Sequence, residues 1–327
     1  MADRITVVDD DSGLPPDVRE TVLTVGTFDG VHLGHQDVLR RLVARARATR
    51  RHSVLVTFDP HPLEIVRPES APALLTLADE KMEVLAELGL DYMVVLPFTR
   101  TLASYDAEDF VDLVLRERYR VAELLIGYDH GFGRNRAGDV ETLVRLGGER
   151  GFAVEVVHPV DAGGERPVSS TLIRTAVAAG RLEVAARGLG RAYSVSGRVI
   201  HGEQRGRALG YPTLNVAVPS SRKLLPPEGV YAVRVQTPDG PFGGMLSLGP
   251  RPTFDDPRQT LEAHLFDARG DWYDAPVRLD FVERLRDIQR FDGPANLIRQ
   301  LAEDERRARG ALTTSPAAGN VLYSAVS

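Results

Sequence analysis

The feature that most constrains this chain is a change in the pattern of its apolar residues near residue 187. Before it, short runs of β-branched and aliphatic residues alternate with helical patterns; the runs cover residues 22–25, 53–58, 92–96, 124–126 and 152–157. The helical period is clearest where Leu39, Leu42 and Ala46 recur on one face. Strands that alternate with helices predict βαβ units, which form a parallel sheet with helices on both faces. Ligands bind such sheets at the carboxyl ends of the strands.

After residue 187 the chain shows strand-like runs separated by turn signals. The runs cover residues 193–200, 230–235, 244–248, 261–266 and 277–282. Residues 238–240 predict a hairpin turn, and a helix with Leu297, Ile298 and Leu301 on one face follows the last run. We predict an antiparallel β-barrel with a C-terminal helix. The predicted division is residues 1–186 and 187–310, with a flexible tail at 311–327.

Composition excludes several classes of function. The 327 residues contain no cysteine, which removes disulfides, thiolate nucleophiles and cysteine-ligated metal centres. The net charge of −6 argues against nucleic acid or an anionic membrane as a partner. No apolar run reaches the roughly 20 residues of a membrane span, and the charged N-terminus does not resemble a secretory signal. We expect a cytoplasmic protein that binds small molecules, and the oligomeric state stays open.

The sharpest motif is the turn of residues 26–35, which lies between a predicted strand and a predicted helix. Its glycines allow the backbone to approach a ligand, and the helix start directs free N–H groups at an anion. His32 and His35 can face the same anion, which suits a nucleoside triphosphate. Histidines that only cap the helix remain an alternative, as does a metal site, although no carboxylate set completes one. The other candidate binding residues are Gly26, Phe28, Asp29, Gly30 and Gly34.

Three further loops are expected at the same edge of the sheet. The candidate residues on them are His61, Asp129, Phe132, Ser170, Thr171 and Arg174. The serine and threonine hydroxyls begin a helix and are typical of an N-cap, and Arg174 would face a phosphate if the helix start does. Each loop alone is also explained as an ordinary turn, and at least one of the hydroxyls is expected to be an N-cap. Together, after the strands of one sheet, they predict a nucleotide site.

The second half carries a glycine- and arginine-rich loop that leads into a strand. Its candidate ATP-binding residues are Gly202, Arg205, Gly206 and Gly210. Thr213 and Asn215 lie two residues apart, so on a strand their oxygens face one side and can hold Mg²⁺. Glu262 shares a strand face with His264. Such a pair is usually a solvated face, and the functional alternative is that Glu262 is a general base for a hydroxyl.

Together these motifs resemble the prokaryotic bifunctional riboflavin kinase/FMN adenylyltransferase family over roughly residues 20–308. Residues 26–35 look like the family's Gly-Asn-Phe-Asp-Gly-Val-His-x-Gly-His motif, and residues 210–215 look like its Pro-Thr-Ala-Asn motif. The remaining family motifs match, in the expected succession, residues 57–62, 127–133, 169–174 and 249–254, then Glu262, Arg286 and Phe291.

The resemblance implies a Rossmann-like nucleotidyltransferase domain followed by a riboflavin kinase barrel. Riboflavin and ATP would give FMN and ADP in the barrel, and FMN and ATP would give FAD and pyrophosphate in the first domain. Mg²⁺ would accompany ATP at Thr213 and Asn215, with Glu262 as the base. For adenylyl transfer, the resemblance implies that His32, His35 and Arg174 stabilise the phosphates. It implies that Asp129, Ser170 and Thr171 position the nucleotide or a metal. Arg286 is implied in flavin or ATP binding.

Two rival hypotheses come from other classes of protein. One is a nucleotidyltransferase that acts on NMN or phosphopantetheine and carries the barrel as an accessory. The other is a flavin- or nucleotide-binding sensor without enzymatic activity. The loop of residues 202–215 together with Glu262 speaks against the first hypothesis. Against the second speaks the joint presence of the candidate catalytic and metal-binding residues, because binding alone does not require a base. These residues are His32, His35, Thr213, Asn215 and Glu262.

Overall fold

The computed structural model describes residues 5–8, 13–127, 138–158, 167–202, 206, 209–217, 220–250 and 259–314. The chain forms two compact units, residues 1–72 with 76–168 and residues 73–75 with 169–327. The second unit begins ahead of the division predicted between residues 186 and 187, which falls within the helix Leu182–Leu189. Within the described ranges, no helix combines the length and the apolar character needed to cross a membrane.

The first unit is built on a six-stranded parallel sheet. Its strands are β1 (Thr6–Val8), β2 (Thr21–Val25), β3 (His52–Asp59), β4 (Tyr92–Pro97), β5 (Val121–Gly127) and β6 (Ala153–Val157). Their order across the sheet is β1-β4-β3-β2-β5-β6, and each neighbouring pair runs parallel. The chain builds outward from β2 through β3 to β4, then returns to the other side for β5 and β6. The order therefore reverses between β2 and β5, which is where such sheets bind ligands.

Helices cover both faces of this sheet, as the alternating pattern predicts. They are α1 (Leu33–Thr49), α2 (Pro62–Val66), α3 (Ala78–Ala86), α4 (Arg100–Ser104), α5 (Ala107–Asp109) and α6 (Val140–Arg150). Val22 of β2 packs in one core with Leu39 of α1, whereas Leu23 packs in a second core with Leu143 of α6. Successive strand residues thus fill two separate cores. The segment Phe110–Arg118, which continues α5, is a π-helix.

The second unit contains a closed antiparallel barrel. Its strands are β7 (Tyr193–Ile200), β8 (Leu214–Ala217), β9 (Gly229–Thr237), β10 (Gly240–Pro250), β11 (Gln259–Leu265) and β12 (Pro276–Arg286). The order around the barrel is β10-β11-β8-β7-β12-β9. The predicted hairpin at residues 238–240 is confirmed as the turn between β9 and β10. Inside the barrel the rings of Tyr231 and Phe281 pack edge to face, with centroids 5.2 Å apart.

Within the described ranges, three helices accompany the barrel: α7 (Ser170–Ala178), α8 (Leu182–Leu189) and α9 (Pro294–Thr314). Helix α9 buries Ala308 and Ala311 against barrel residues such as Val230. Ile298, expected on its buried face, is 40% exposed. The helix continues to Thr314, so its last turn includes the first residues of the predicted tail. Leu301, expected on the same face, packs against this core together with Leu312.

Candidate functional site

The first candidate site is the turn after β2, next to the point where the strand order reverses. The backbone of this turn is unusual, because Phe28 and Val31 have positive φ angles of 46° and 39° although neither is glycine. L-residues seldom adopt such angles, and where they do the surrounding structure must impose them. Both side chains are buried. The turn is therefore held in one conformation by its packing.

Asp29, predicted to bind the nucleotide, is buried and holds the turn to another segment. Its carboxylate accepts hydrogen bonds from the main-chain N–H of Thr76 at 3.0 Å and from the Thr76 hydroxyl at 3.4 Å. The N–H of Gly30, which has a φ of 83°, donates to the same hydroxyl at 3.0 Å. Asp29 thus supports the shape of the turn from within.

The two predicted histidines lie together at the start of α1. His32 is the N-cap, and its Nδ1 accepts a hydrogen bond from the main-chain N–H of His35 at 3.3 Å. The rings stack with centroids 3.6 Å apart. Gly34 leaves space for this arrangement, because a Cβ there would lie 3.2 Å from Cε1 of His32. Capping, the alternative for these histidines, is therefore confirmed for His32.

His35 is uncharged at neutral pH. Burial, then the nearby His32, then the charge of Lys81 lower the pKa of His35 well below its ordinary value of 6.5. Its Nδ1 is buried, and within the described part of the chain it has no hydrogen-bond partner. An uncharged imidazole can donate a hydrogen bond to a ligand or accept one from it, but it does not supply a full positive charge.

Two residues of this site were not predicted from the sequence. Thr76 lies just before α3, and Lys81 lies in the first turns of that helix. The ammonium of Lys81 donates to the main-chain carbonyl of Thr27 at 2.7 Å and to the hydroxyl of Thr57 at 3.1 Å. Gly26 follows β2, and its N–H donates to the carbonyl of Val56 at 3.0 Å. No local motif marks Thr76 or Lys81, since their partners lie 24 to 54 residues away in the sequence.

The other loops of the predicted adenylyl-transfer set are only partly described. His61 is the N-cap of α2, where Nδ1 accepts from the N–H of Leu63 at 3.2 Å. Asp129 and Phe132 lie outside the described residues. Both predictions therefore remain untested by the geometry.

Ser170, Thr171 and Arg174 belong to α7 of the second unit. The N-cap there is Ser169, whose hydroxyl accepts from the N–H of Leu172 at 3.2 Å, so the expectation that one hydroxyl caps this helix is confirmed. Ser170 and Thr171 follow in the first turn. The Nε–H of Arg174 donates to the main-chain carbonyl of Ala73 at 3.0 Å, which fixes the direction of the guanidinium.

The second candidate site lies where β8 and β11 pair in the barrel. The strand register sets Glu262 directly opposite Asn215, and Asn215 is also paired with Ile200 on its other side. Both Glu262 and Asn215 are half-buried. Across an antiparallel pair, directly opposed Cβ atoms are about 5 Å apart. The predicted base and the predicted metal ligand are therefore neighbours, although 47 positions separate them in the sequence.

Glycines of the predicted phosphate loop explain how it approaches this strand. A Cβ on Gly202 would lie 2.1 Å from Nδ2 of Asn215, so the amide rests directly on the Gly202 backbone. A Cβ on Gly206 would lie 2.2 Å from the carbonyl oxygen of Tyr211. Gly210 has a φ of 82°, a left-handed backbone angle that glycine adopts without steric strain. Arg205 lies outside the described residues.

Thr213 lies immediately before β8, where a histidine supports its backbone. Nδ1 of His264 is 2.8 Å from the carbonyl oxygen of Pro212, the residue before Thr213. No group of three or more histidine, aspartate or glutamate side chains arranged to hold a metal occurs in the ranges that the structure describes. Any Mg²⁺ here would depend on the oxygens of Thr213 and Asn215 and on those of a bound phosphate chain.

Arg286, predicted to bind flavin or ATP, makes a buried ion pair. Its guanidinium donates to the carboxylate of Asp304 at 2.6–3.0 Å, and Gln300 donates to the same carboxylate at 2.9 Å. Asp304 is fully buried, and Arg286 is 12% exposed. The pair joins the end of β12 to α9. Arg286 also lies 5.7 Å from the ring centre of Phe291.

The fold and the two sites define a two-module enzyme of nucleotide chemistry. The first module holds an imidazole pair at the ligand-binding edge of a parallel sheet, and the second sets a carboxylate opposite an amide beside a glycine loop. A separate family model matches each module. The FAD synthetase model matches residues 14–172, and the riboflavin kinase model matches residues 189–312.

Curated relatives carry both modules in this order. The bifunctional riboflavin kinase/FMN adenylyltransferase of Escherichia coli K12 is 39% identical over 88% of this chain and 91% of its own length. That of Pseudomonas fluorescens is 40% identical over 90% of this chain and 94% of its own. A crystal structure described as a macrolide-efflux protein from Streptococcus pneumoniae has a TM-score of 0.82 at 29% identity, covering 93% of this chain and 99% of that one. The chain belongs to the bifunctional riboflavin kinase/FMN adenylyltransferase family, which confirms the resemblance.

Proposed function

We propose that this chain converts riboflavin to FMN in its barrel and FMN to FAD in its first module, with ATP as the donor in both reactions. The observation that carries the proposal is the pairing of Glu262 with Asn215 beside Gly202. A carboxylate at that position can accept the proton of a hydroxyl nucleophile, and the ribityl chain of riboflavin ends in a hydroxyl group. We keep residues 1–186, 187–310 and 311–327 as the proposed functional division.

In the kinase reaction, Glu262 accepts the proton of the ribityl hydroxyl as its oxygen attacks the γ-phosphorus of ATP. The bond from that phosphorus to ADP breaks, and FMN forms. Thr213 and Asn215 would hold Mg²⁺, because hydroxyl and amide oxygens suit this hard cation and leave its remaining positions to phosphate oxygens and water. Bound there, Mg²⁺ neutralises charge on the phosphates. His264 keeps the strand start in place through Pro212.

In the adenylyl-transfer reaction, a phosphate oxygen of FMN attacks the α-phosphorus of ATP and pyrophosphate leaves. FMN is already an anion, so this step requires no general base. We propose that His32 and His35 donate hydrogen bonds to the phosphates and that Arg174 supplies positive charge. The lowered pKa of His35 favours its uncharged form, so its proposed contribution is a directed hydrogen bond. Asp129, Ser170 and Thr171 would position the nucleotide or its metal.

The proposal is tested by incubating the chain with riboflavin, ATP and Mg²⁺ and separating the products over time. FMN and ADP should appear first, followed by FAD and pyrophosphate. Supplying FMN in place of riboflavin should give FAD without a lag. Binding of flavin or ATP with no product formed would favour the binding-protein hypothesis, and adenylylation of NMN or phosphopantetheine would favour the other rival.

A further inference from the structure

Lysine is rare in this protein, and this rarity draws attention to one buried side chain. Only two of the 40 lysine and arginine residues are lysines, Lys81 and Lys223. Both are buried, at 9% and 5% exposure, whereas arginine supplies the positive charge everywhere else. A lysine kept in an arginine-rich chain indicates a position where a compact ammonium fits and a planar guanidinium does not.

The surroundings of Lys81 fit that interpretation. A single nitrogen donates to the Thr27 carbonyl at 2.7 Å and to the Thr57 hydroxyl at 3.1 Å. The Thr57 hydroxyl also donates to the Thr27 carbonyl at 3.1 Å. Three groups from β3, α3 and the turn after β2 thus meet at one point. An extended guanidinium places its donors on separate nitrogens, so it would not reproduce this convergence.

The carbonyl that Lys81 holds lies at the base of the histidine-bearing turn. Thr27 precedes Phe28, the first of the two residues with positive φ, and the turn then leads directly to His32 and His35. Asp29 and Asp59 both favour the charged form of Lys81, opposing the lowering of its pKa by burial. The ammonium is thus held by two hydrogen bonds, and the charges of Asp29 and Asp59 favour it.

We propose that Lys81 is a positioning residue for adenylyl transfer, which holds the Thr27 carbonyl and thereby the histidine pair. This inference rests on the proposed function of the same site. Lys81 acts through His32 and His35, so removing its ammonium should displace their donors from the phosphates. Misplacement by about 1 Å costs roughly 10²-fold in rate.

The test compares Lys81→Met and Lys81→Arg with the unchanged chain, in the full-length protein. Both variants should lower kcat for FAD formation from FMN by roughly 10²-fold, with KM for ATP little changed. FMN formation by the same preparations should be unchanged, which shows that the barrel is intact. Arg41→Met is the matched control, since it removes an exposed charge from α1 of the same unit.

A double-mutant cycle separates positioning from a purely structural role. In a chain that already carries His32→Ala, Lys81→Met should cost less than in the unchanged chain, because one of the two groups that it positions is gone. Equal losses in both backgrounds, or wild-type kcat in Lys81→Met or Lys81→Arg, would overturn the proposal. If Lys81→Met does not fold, Thr57→Val removes the second donor to Thr27 and should show the same dependence on His32. An unchanged chain that makes no FAD would instead contradict the proposed function itself.

Discussion

Replacing Gly202 with alanine would disturb the kinase site by one methyl group. The new Cβ would lie 2.1 Å from Nδ2, 2.5 Å from Cγ and 2.8 Å from Oδ1 of Asn215. Non-bonded atoms prefer separations of about 3.5 Å, so the amide must move by roughly 1 Å or more. The Asn215 side chain is the part able to move. The substitution therefore displaces a proposed Mg²⁺ ligand rather than the barrel.

The expected effect on rate follows from that displacement. A 1 Å misplacement of a reacting group or its support costs roughly 10²-fold, which corresponds to about 2.7 kcal/mol of transition-state stabilisation. Stability should change far less. Gly202 is not among the glycines with positive φ, so alanine can adopt its backbone, and such replacements shift unfolding by about 1 kcal/mol or less.

The assay measures FMN formation from riboflavin and FAD formation from FMN on one preparation of Gly202→Ala. FMN formation should fall by roughly 10²-fold while FAD formation is retained. Gly310→Ala is the control. Gly310 lies on helix α9, and a Cβ added there would have no atom within 4 Å. Wild-type FMN formation in Gly202→Ala would refute the argument that Asn215 must rest on this backbone.

The remaining predictions concern the two sites separately. Glu262→Gln should abolish FMN formation and leave FMN adenylylation working; product separation checks it, and retained phosphorylation would remove Glu262 from the role of base. His32→Ala should lower FAD formation by about 10²–10³-fold without affecting FMN formation, and an equal fall in both rates would contradict separate sites. Because the pKa of His35 is lowered in the folded state, the unfolded chain binds the extra proton below its ordinary value of 6.5. The free energy of unfolding should therefore fall as the pH drops below that value, and urea titrations of His35→Asn should show a weaker pH dependence.

The two architectures followed from sequence because their signals are local. Apolar residues with a helical period between buried strands require a parallel sheet, and the turn at residues 238–240 specifies a hairpin whatever lies far away. The strand β1 was not predicted, since its three residues pair only with β4 at the sheet edge. The π-helix Phe110–Arg118 was not predicted either, because its apolar spacing is also compatible with an ordinary helix.

The site was predictable as a set of motifs but not as a set of contacts. The sequence motifs indicated the histidines, Glu262 and Asn215, yet they could not show that the Asp29 carboxylate accepts a hydrogen bond from Thr76. They also could not show that Arg286 is paired with a buried carboxylate 18 residues later. These partners are chosen by tertiary packing, which local residue patterns do not encode.

Mixing two variants tests most directly whether the chain contains two independent sites. Glu262→Gln alone should make no FAD from riboflavin, and His32→Ala alone should accumulate FMN. When the two proteins are combined with riboflavin, ATP and Mg²⁺, FMN released by the second should be adenylylated by the first, so FAD should appear at a rate that depends on both concentrations. If the mixture makes no more FAD than His32→Ala alone, although Glu262→Gln still adenylylates added FMN, the account of two separable sites is contradicted.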